Sequence, residues 1–138
     1  MKINFKLNHP DAKAPTRAHH FDAGNDLYSI ENIDLYPGVT KIKTGVSVAL
    51  PAGTVGVIKD RSSMGIKGLH VYAGVIDHGY TGEISVVLYN MSDKPYPVRV
   101  GDKIAQLVVL PISVVDWEQS DSLEATDRGD SGFGSSGK

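Results

Sequence analysis

A carboxylate and an aromatic ring lie close together in the stretch AGVIDHGYTGEI, which spans residues 73–84. Its first apolar pair predicts a strand, and the HG pair that follows is typical of the tight turn that closes a β-hairpin onto a second strand. Asp77 would lie at the mouth of that turn and Tyr80 just past it. Together they could hold one small polar ligand. The alternative is an ordinary hairpin with a turn-capping Asp.

A second candidate site follows the strand predicted at residues 54–58. Arg61 offers a planar fork of donors, and Ser62 and Ser63 add hydroxyl groups. Either serine could cap a short helix that ends at one of the next two glycines, and a helix N-terminus adds free N–H groups. The segment therefore predicts either a phosphate site or simply a capped helix start.

Two polar side chains stand in otherwise apolar strand patterns. Asp26 lies in AGNDLYS, where it could be a turn residue that opens a strand. Gln106 is a lone amide in VRVGDKIAQLVVLP, a segment that begins with a Gly-Asp turn and becomes a buried strand. Its amide either bonds to neighbouring backbone or faces a ligand.

The rest of the chain predicts the elements that position these residues. Residues 1–7 alternate apolar and polar side chains, which predicts a half-buried strand at the edge of a sheet. A polar loop is predicted at 8–20, one or two strands at 38–50, and further strands at 83–90 and 98–111. Short strands separated by turns predict an all-β barrel or sandwich with at most one or two short helices.

Composition limits the classes of function. The 138 residues suffice for one domain with a core. A net charge of −2 argues against binding a nucleic-acid polymer through charge, although a single nucleotide needs only local positive groups. The chain has no cysteine, which excludes disulfides and thiolate metal sites. No signal-peptide core and no membrane-length apolar run is present, so a cytoplasmic location is expected.

The composition changes from Asp116 onward. Residues 116–138 hold six acidic and two basic residues and end in a Gly/Ser-rich segment around Arg128 and Phe133. Such a composition predicts either a disordered tail or a flexible flap. In a flap, Gly and Ser amides could wrap phosphate oxygens and the aromatic ring could stack on a base.

Five segments, taken together, resemble the five motifs of the homotrimeric deoxyuridine triphosphatases (dUTPases). The resemblance covers residues 23–137, and the segments are AGNDLYS, PAGTVGVIKDRSS, GVIDHGYTGEI, GDKIAQLVV and RGDSGFGSSG, in this order. It implies a single-domain, jelly-roll-like β-barrel of the β-clip type over residues 1–115. Residues 116–138 would form a linker and flexible arm that closes over a neighbouring subunit's active site. The implied assembly is a homotrimer with active sites shared between subunits.

The implied reaction is hydrolysis of dUTP to dUMP and pyrophosphate, which keeps uracil out of DNA and supplies dUMP for thymidylate synthesis. Asp77 matches the carboxylate that holds the sugar 3′-hydroxyl and orients the attacking water. Asp26 matches a carboxylate near the network of metal-bound waters. Tyr80 matches the ring under deoxyribose, where it leaves no room for a 2′-hydroxyl, and the backbone at Gly74 and Ile76 would pair with uracil.

The resemblance also implies how the phosphates and the cofactor are held. Mg²⁺ is expected on the triphosphate, bound mainly by phosphate oxygens and waters without a direct protein ligand. The implied phosphate-binding and arm residues are Arg61, Ser62, Ser63, Gln106, Arg128, Gly134, Ser135 and Ser136, with Phe133 stacking on uracil. One departure is Asp60, where the family usually has a small residue or proline, and its charge would temper the positive potential beside Arg61.

Two other functions are compatible with the same fold. A dCTP deaminase would need a catalytic Glu on the strand after the third motif, but Val87 lies at about that place in ISVVLYN. A nucleotide-sensing regulatory protein would keep the fold and act by binding partners. The complete set of motif residues argues against lost catalysis.

Overall fold

The computed structural model describes residues 1–132, which form ten β-strands and one short α-helix. The elements are β1 (Asn4–Leu7), β2 (Gly24–Tyr28), β3 (Ile33–Leu35), β4 (Gly38–Ala49), β5 (Thr54–Lys59), α1 (Ser62–Gly65), β6 (Leu69–Val71), β7 (Val75–Ile76), β8 (Glu83–Asn90), β9 (Tyr96–Val98) and β10 (Lys103–Pro111).

The strands form two four-stranded antiparallel sheets and a two-stranded ribbon. The first sheet has the order β1-β4-β8-β6, the second has the order β2-β10-β5-β7, and the ribbon pairs β3 with β9. One apolar cluster draws on both sheets and on the ribbon. This arrangement confirms the all-β, jelly-roll-like prediction, and α1 is the one helix within residues 1–132.

Strand β8 illustrates how the sequence builds the first sheet. Its side chains alternate between buried and half-buried along the whole strand, as expected for a period of two. Ile84, Val86 and Leu88 are at most 1% exposed, and burying such a side chain contributes about 1.5–3 kcal/mol. The buried Asn90 is satisfied, because its Nδ2 donates to the carbonyl oxygens of Leu35 at 2.8 Å and Lys94 at 2.7 Å.

Strand β4 is a single twelve-residue strand with a bulge. Of the one or two strands predicted over residues 38–50, the structure therefore has one. Its register against β8 shifts between Lys43 and Val46. Gly45 lies in the bulge with a φ of +67°, and a Cβ there would approach the Ala12 Cβ to 2.7 Å. The bulge therefore requires glycine both for its backbone angle and for space.

Strand β1 lies at a sheet edge as predicted, but the predicted half-buried face is wrong for the single chain. All four of its residues are exposed, with Phe5 at 51% and Leu7 at 43%. The strand pairs with β4 only; Ile3, just before it, packs partly against the core, whereas about half of each of Phe5 and Leu7 stays uncovered within residues 1–132. Alternation identified the strand correctly but could not say whether the same chain covers its apolar face.

The predicted hairpin over residues 73–84 is also wrong in its pairing. The tight turn exists, with the Tyr80 N–H donating to the Asp77 carbonyl at 3.2 Å, but the two strands that it joins belong to different sheets. Val75–Ile76 pairs with β5, whereas β8 pairs with β4 and β6. Ala73 and Gly74, with φ of +62° and +112°, turn the chain out of β6 towards the second sheet. The turn is therefore a crossover between sheets.

The short helix after β5 is present and ends at Gly65, one of the two predicted ends. The predicted serine cap is wrong, because Arg61 occupies the N-cap position and no side chain caps the helix. Met64, which is 5% exposed, anchors this single turn in the core. Packing of that side chain, rather than capping, holds the turn.

The chain beyond Pro111 forms no strand or helix as far as residue 132, and residues 112–131 are exposed throughout. The division into a β-domain and an arm from Asp116 stays a prediction. Helix α1, the one helix within residues 1–132, is too short to span a membrane.

Candidate active site

A cleft of about 340 Å³ opens beside the crossover turn, and we call it the Asp77 cleft. The segment that follows β6, strand β7, the turn after it and part of β8 line the cleft, with one residue each from β4 and β5. Its lining residues are Lys41, Ile58, Tyr72, Ala73, Gly74, Val75, Ile76, Asp77, Tyr80, Glu83, Ile84, Ser85 and Val87. It thus gathers four of the predicted site residues around one space.

Gly74 allows two backbone segments to meet in this cleft. The Ile58 N–H donates to the Gly74 carbonyl at 2.7 Å, and a Cβ on Gly74 would lie 3.1 Å from both Ile58 Cβ and the Ile58 carbonyl oxygen. With its φ of +112° as well, this position suits glycine alone. Glycine here therefore lets the backbone of residues 73–77 lie directly against the cleft.

Tyr80 is held by two features of its own loop. Its hydroxyl donates to the Glu83 carbonyl at 2.9 Å. Its ring lies against Gly82, where a Cβ would approach Tyr80 Cζ to 2.7 Å. The ring remains 46% exposed and presents a fixed flat surface to the cleft. Asp77 is exposed beside it, and its carboxylate has no hydrogen bond to any other residue from 1 to 132.

A second cleft, of about 420 Å³, lies where the chain leaves the C-terminal end of β5, and we call it the Arg61 cleft. Strands β2 and β10 form one wall and the start of α1 forms the other. Its lining residues are Ala18, Asp22, Ala23, Gly24, Asp26, Arg61, Ser62, Ser63, Lys103 and Gln106. All the phosphate-binding residues predicted before the arm meet here, together with Asp26.

Asp26 is central in this cleft and bonds to two cations. Its Oδ1 accepts a hydrogen bond from Arg61 Nε at 2.9 Å, and its Oδ2 lies 2.7 Å from Lys103 Nζ. Its side chain is only 13% exposed, so solvent screens these pairs less than pairs at the surface. Asp26 lies within β2 rather than at a turn that opens it. It holds two positive groups at one wall of the cleft.

Lys103 is a site residue that the sequence reasoning missed. The pKa of its ammonium group is raised, first by its hydrogen bond to Asp26 and second by the charge of that carboxylate. It therefore stays charged through neutral pH, and the pairing is lost only as pH rises through that raised pKa. The available signal was its position two residues after the glycine of GDKIAQ, the motif that also carries Gln106.

The Gln106 amide both bonds to backbone and faces a cleft, which were the two alternatives predicted from the sequence. Its Nε2 donates to the Asp60 carbonyl at 2.7 Å, while the side chain also lines the Arg61 cleft. In the sheet it stands opposite Asp26 of β2 and Lys59 of β5. A Cβ on Gly24 would lie 1.8 Å from Gln106 Oε1, so glycine at that position leaves the space that the amide occupies.

The serines are exposed at the start of α1. Ser63 Oγ accepts a long hydrogen bond, 3.4 Å, from Arg61 Nη1, and Ser62 lines the same cleft. The Asp60 carboxylate, in contrast, bonds to residues of β6 and does not line the cleft. Besides the carboxylates of Asp22 and Asp26, the Arg61 cleft presents two cations and two hydroxyl groups, which are the donors that a phosphate chain requires.

The arm residues are not brought to either cleft in this chain. Arg128 lies in the exposed segment, where its Nε donates to the Ser131 carbonyl at 3.3 Å. Phe133, Gly134, Ser135 and Ser136 lie outside the described residues. The two clefts share no lining residue. Each therefore carries only part of the predicted constellation.

No group of three or more His, Asp or Glu side chains that could hold a metal ion occurs in the part of the chain that the structure describes. The carboxylate nearest the phosphate-binding residues is Asp26, and both of its oxygens already bond to cations. This donor set does not suit a cation bound by protein ligands alone. It does suit Mg²⁺ that is bound mainly by phosphate oxygens and waters.

Comparison with known proteins agrees with this geometry. The sequence model of the dUTPase family matches residues 10–137. The deoxyuridine 5′-triphosphate nucleotidohydrolase of Clostridium tetani is 44% identical over 140 residues, covering 99% of this chain and 97% of that protein. The enzyme of the same name from Nocardia farcinica is 47% identical over 133 residues, covering 93% of this chain and 81% of that protein.

Solved structures give the same result. The dUTPase of Staphylococcus bacteriophage 80alpha with dUpNHpp is 31% identical with a TM-score of 0.89, covering 99% of both chains. A variant dUTPase from phage phi11 of S. aureus, described with a structural Mg(II) ion, is 29% identical with a TM-score of 0.84. That comparison covers 91% of this chain and 100% of the phage chain. From the family match, the identities and the shared fold, the chain belongs to the dUTPase family.

Proposed function

We propose that this protein hydrolyses dUTP to dUMP and pyrophosphate. The observation that carries the proposal is the sorting of the motif residues into two clefts of different chemistry. One combines a carboxylate, a fixed tyrosine ring and close backbone, and the other combines two cations with hydroxyl groups. The first suits a nucleoside and the second a triphosphate. The reaction keeps uracil out of DNA and supplies dUMP for thymidylate synthesis.

The Asp77 cleft is proposed to bind the nucleoside. Backbone groups around Gly74 and Ile76 pair with the polar edge of uracil, and the tight wall excludes the methyl group of thymine. Tyr80 packs under deoxyribose, because the contact with Gly82 and the bond to the Glu83 carbonyl keep its ring in place. A ribose 2′-hydroxyl would collide with that ring, which rejects UTP by steric exclusion.

The Arg61 cleft is proposed to bind the phosphate chain. Arg61 and Lys103 supply positive charge, and Ser62, Ser63 and Gln106 supply polar groups of shorter reach. Charge-assisted hydrogen bonds of this kind are roughly twice as strong as neutral ones. The main contribution to catalysis is stabilisation of the charge that develops on the phosphate oxygens as the leaving pyrophosphate departs.

Asp77 is proposed to orient the attacking water and to accept its proton. The water oxygen bonds to the α-phosphorus as the bond to pyrophosphate breaks on the opposite side. Asp77 suits this role because it is exposed at the cleft mouth and has no competing hydrogen bond within residues 1–132. When Mg²⁺ is bound, it neutralises charge on the triphosphate, and Asp26 would act on it through water.

A homotrimer with shared active sites is part of the same proposal. The two clefts share no lining residue, which supports a nucleotide bound by the Asp77 cleft of one subunit and the Arg61 cleft of another. The arm of a further subunit would bring Arg128 to the phosphates, Phe133 to uracil and Gly134, Ser135 and Ser136 around both. A cytoplasmic location belongs to the proposal too, since a chain without cysteine suits a reducing compartment.

The test is pyrophosphate release measured side by side with dUTP, dCTP, dTTP and UTP in the presence of Mg²⁺. Release from dUTP alone is the expected result. Ammonia release from dCTP would point to a deaminase, and equal release from UTP would remove Tyr80 from its proposed role. Tight binding of dUTP without release would favour a nucleotide-sensing regulatory protein. Omission of Mg²⁺, with a chelator added, is expected to suppress release.

A further inference from the structure

Asp60 lies between the two clefts and bonds to an element of each. Its Oδ1 accepts a hydrogen bond from the Val71 N–H at 2.5 Å, and its Oδ2 lies 2.6 Å from His70 Nδ1. Its backbone carbonyl accepts the hydrogen bond from Gln106 Nε2 at 2.7 Å. One residue thus bonds to β6 through its side chain and to β10 through its backbone.

These bonds join the two sheets at the point where both clefts begin. Asp60 follows the last residue of β5 in the second sheet, whereas His70 and Val71 belong to β6 in the first sheet. The chain leaving β6 enters the Asp77 cleft at Tyr72, and the His70 ring meets the Tyr72 ring edge-on at 5.9 Å. On the other side, Asp60 is followed directly by Arg61.

The bonds from Asp60 are of a kind that can fix a corner of the backbone. Its side chain is 27% exposed, and a carboxylate that accepts two short hydrogen bonds restricts both its own rotamer and the backbone that carries it. The residues it positions, Arg61 and Gln106, both line the Arg61 cleft. Small displacements of groups that bind a reacting ligand cost large factors in rate.

We propose that Asp60 is a positioning residue for phosphate binding. By anchoring the corner between β5 and α1 to β6, it holds Arg61 and Gln106 where they meet the phosphate chain. The inference rests on the proposed function for the reaction, but the bonds themselves are independent of it. Asp60 lies in the second motif segment as a departure from the family's pattern, and it lines neither cleft.

The experiment compares Asp60→Ala and Asp60→Asn, with Asp34→Ala as the matched control. Asn retains an oxygen for the Val71 N–H and an amide group that can meet His70. Asp34 also forms an ion pair, at 3.0 Å to Arg99, but lines neither cleft. For each variant we would measure kcat and KM with dUTP, the affinity for magnesium pyrophosphate by calorimetry, and the melting temperature.

The expected result is that Asp60→Ala raises KM and weakens pyrophosphate affinity, each about tenfold. Asp60→Asn is expected to stay within about threefold of the unsubstituted protein, and Asp34→Ala to change neither quantity. KM and affinity within twofold of normal in Asp60→Ala, even with a lowered melting temperature, would reduce Asp60 to a structural tie and overturn the proposal. Equal losses in Asp60→Ala and Asp60→Asn would overturn it as well.

A replacement variant and the pyrophosphate titration cover the cases in which a variant does not fold or the protein does not cleave dUTP. If Asp60→Ala does not fold, Asp60→Ser replaces it under the same criteria, because its hydroxyl stops one bond short of the carboxylate oxygens. If the unsubstituted protein does not cleave dUTP, the proposed function fails, while the pyrophosphate titration still tests Asp60. An unsubstituted protein that neither cleaves dUTP nor binds pyrophosphate overturns both proposals.

Discussion

The two candidate carboxylates differ in what their oxygens contact. Asp26 is nearly buried, and both of its carboxylate oxygens bond to the cations of Arg61 and Lys103. Asp77 is exposed in a turn and has no such partner among residues 1–132. A general base must be free to meet the proton that it removes. Of the two, Asp77 therefore suits the attacking water, and Asp26 suits an electrostatic role.

Asp77→Asn tests this assignment. The amide still accepts a hydrogen bond from the sugar but cannot take a proton, so kcat for dUTP should fall by about 10²–10⁴-fold. Nucleotide affinity, measured by calorimetry with a non-hydrolysable analogue, should remain within a few fold. An unchanged kcat would remove Asp77 from the chemistry. Asp34→Ala serves as the control for loss of a surface carboxylate.

At the residue scale, the sequence predicted the residues of the clefts better than their contacts. Asp26, Arg61 and Gln106 stand out because each is polar or charged next to an apolar strand pattern. Lys103 does not stand out, since a lysine after a turn is ordinary. Its bond to Asp26 depends on the register between β2 and β10, which no local pattern specifies.

At the element scale, β2 and β10 form one wall of the Arg61 cleft, and a glycine in β2 leaves space there for a side chain of β10. Strands β2 and β10 pair so that Gly24 lies beneath the Gln106 amide, where a Cβ would come within 1.8 Å of Oε1. The amide is held from the other side by the Asp60 carbonyl. Gly24 on one side and the Asp60 carbonyl on the other thus determine the place of the amide.

Gly24→Ala should displace that amide. A new methyl group needs room that only movement of Gln106 can supply, so we expect KM for dUTP to rise about tenfold and stability to fall by about 1–3 kcal/mol. Kinetics and denaturant unfolding would measure the two effects. Gly65→Ala is the matched control, since a Cβ there meets nothing within 4 Å. Equal effects of the two substitutions would contradict the packing argument.

The crossover at residues 73–84 shows what strand patterns leave undecided. Two β-forming segments around a tight turn normally pair with each other. Here the positive φ angles of Ala73 and Gly74 direct Val75–Ile76 to β5 before the turn is reached. A positive φ such as the +62° of Ala73 is uncommon for a non-glycine residue, and nothing in the local sequence predicts it. The pairing partner follows from the tertiary fold rather than from the local sequence.

On the scale of the whole molecule, the single chain leaves apolar side chains uncovered. Phe5, Tyr72, Val75 and Ile112 are 46–63% exposed, and some of them line or flank the Asp77 cleft. Exposed apolar surface of this kind commonly marks a contact with another chain. It agrees with a site whose parts come from different copies.

Sedimentation should therefore give particles of about three chains. In the proposed trimer, association would bury the exposed apolar side chains and complete the site, so the activity per chain should fall when dilution makes the trimer dissociate. Analytical ultracentrifugation and activity over a dilution series would measure both. A monomer that is fully active at all concentrations would contradict a shared site.

Deleting the chain after Asp127 should separate folding from catalysis. The strands end at Pro111 and residues 112–131 are exposed, so the melting temperature should change little. Loss of Arg128 and the residues after it should lower kcat/KM for dUTP by at least about 10²-fold, because the deletion removes the cation and the aromatic ring that the proposed arm brings to the nucleotide. A fully active truncated protein would mean that the segment plays no part in the site.

Trp117 is 94% exposed and is the one tryptophan in the chain. It stands in the segment that leads from the last strand to the proposed arm. Its fluorescence therefore comes from that segment alone, without any label. A blue shift of its emission on adding a nucleotide would report, in real time, that the segment has moved from water onto protein.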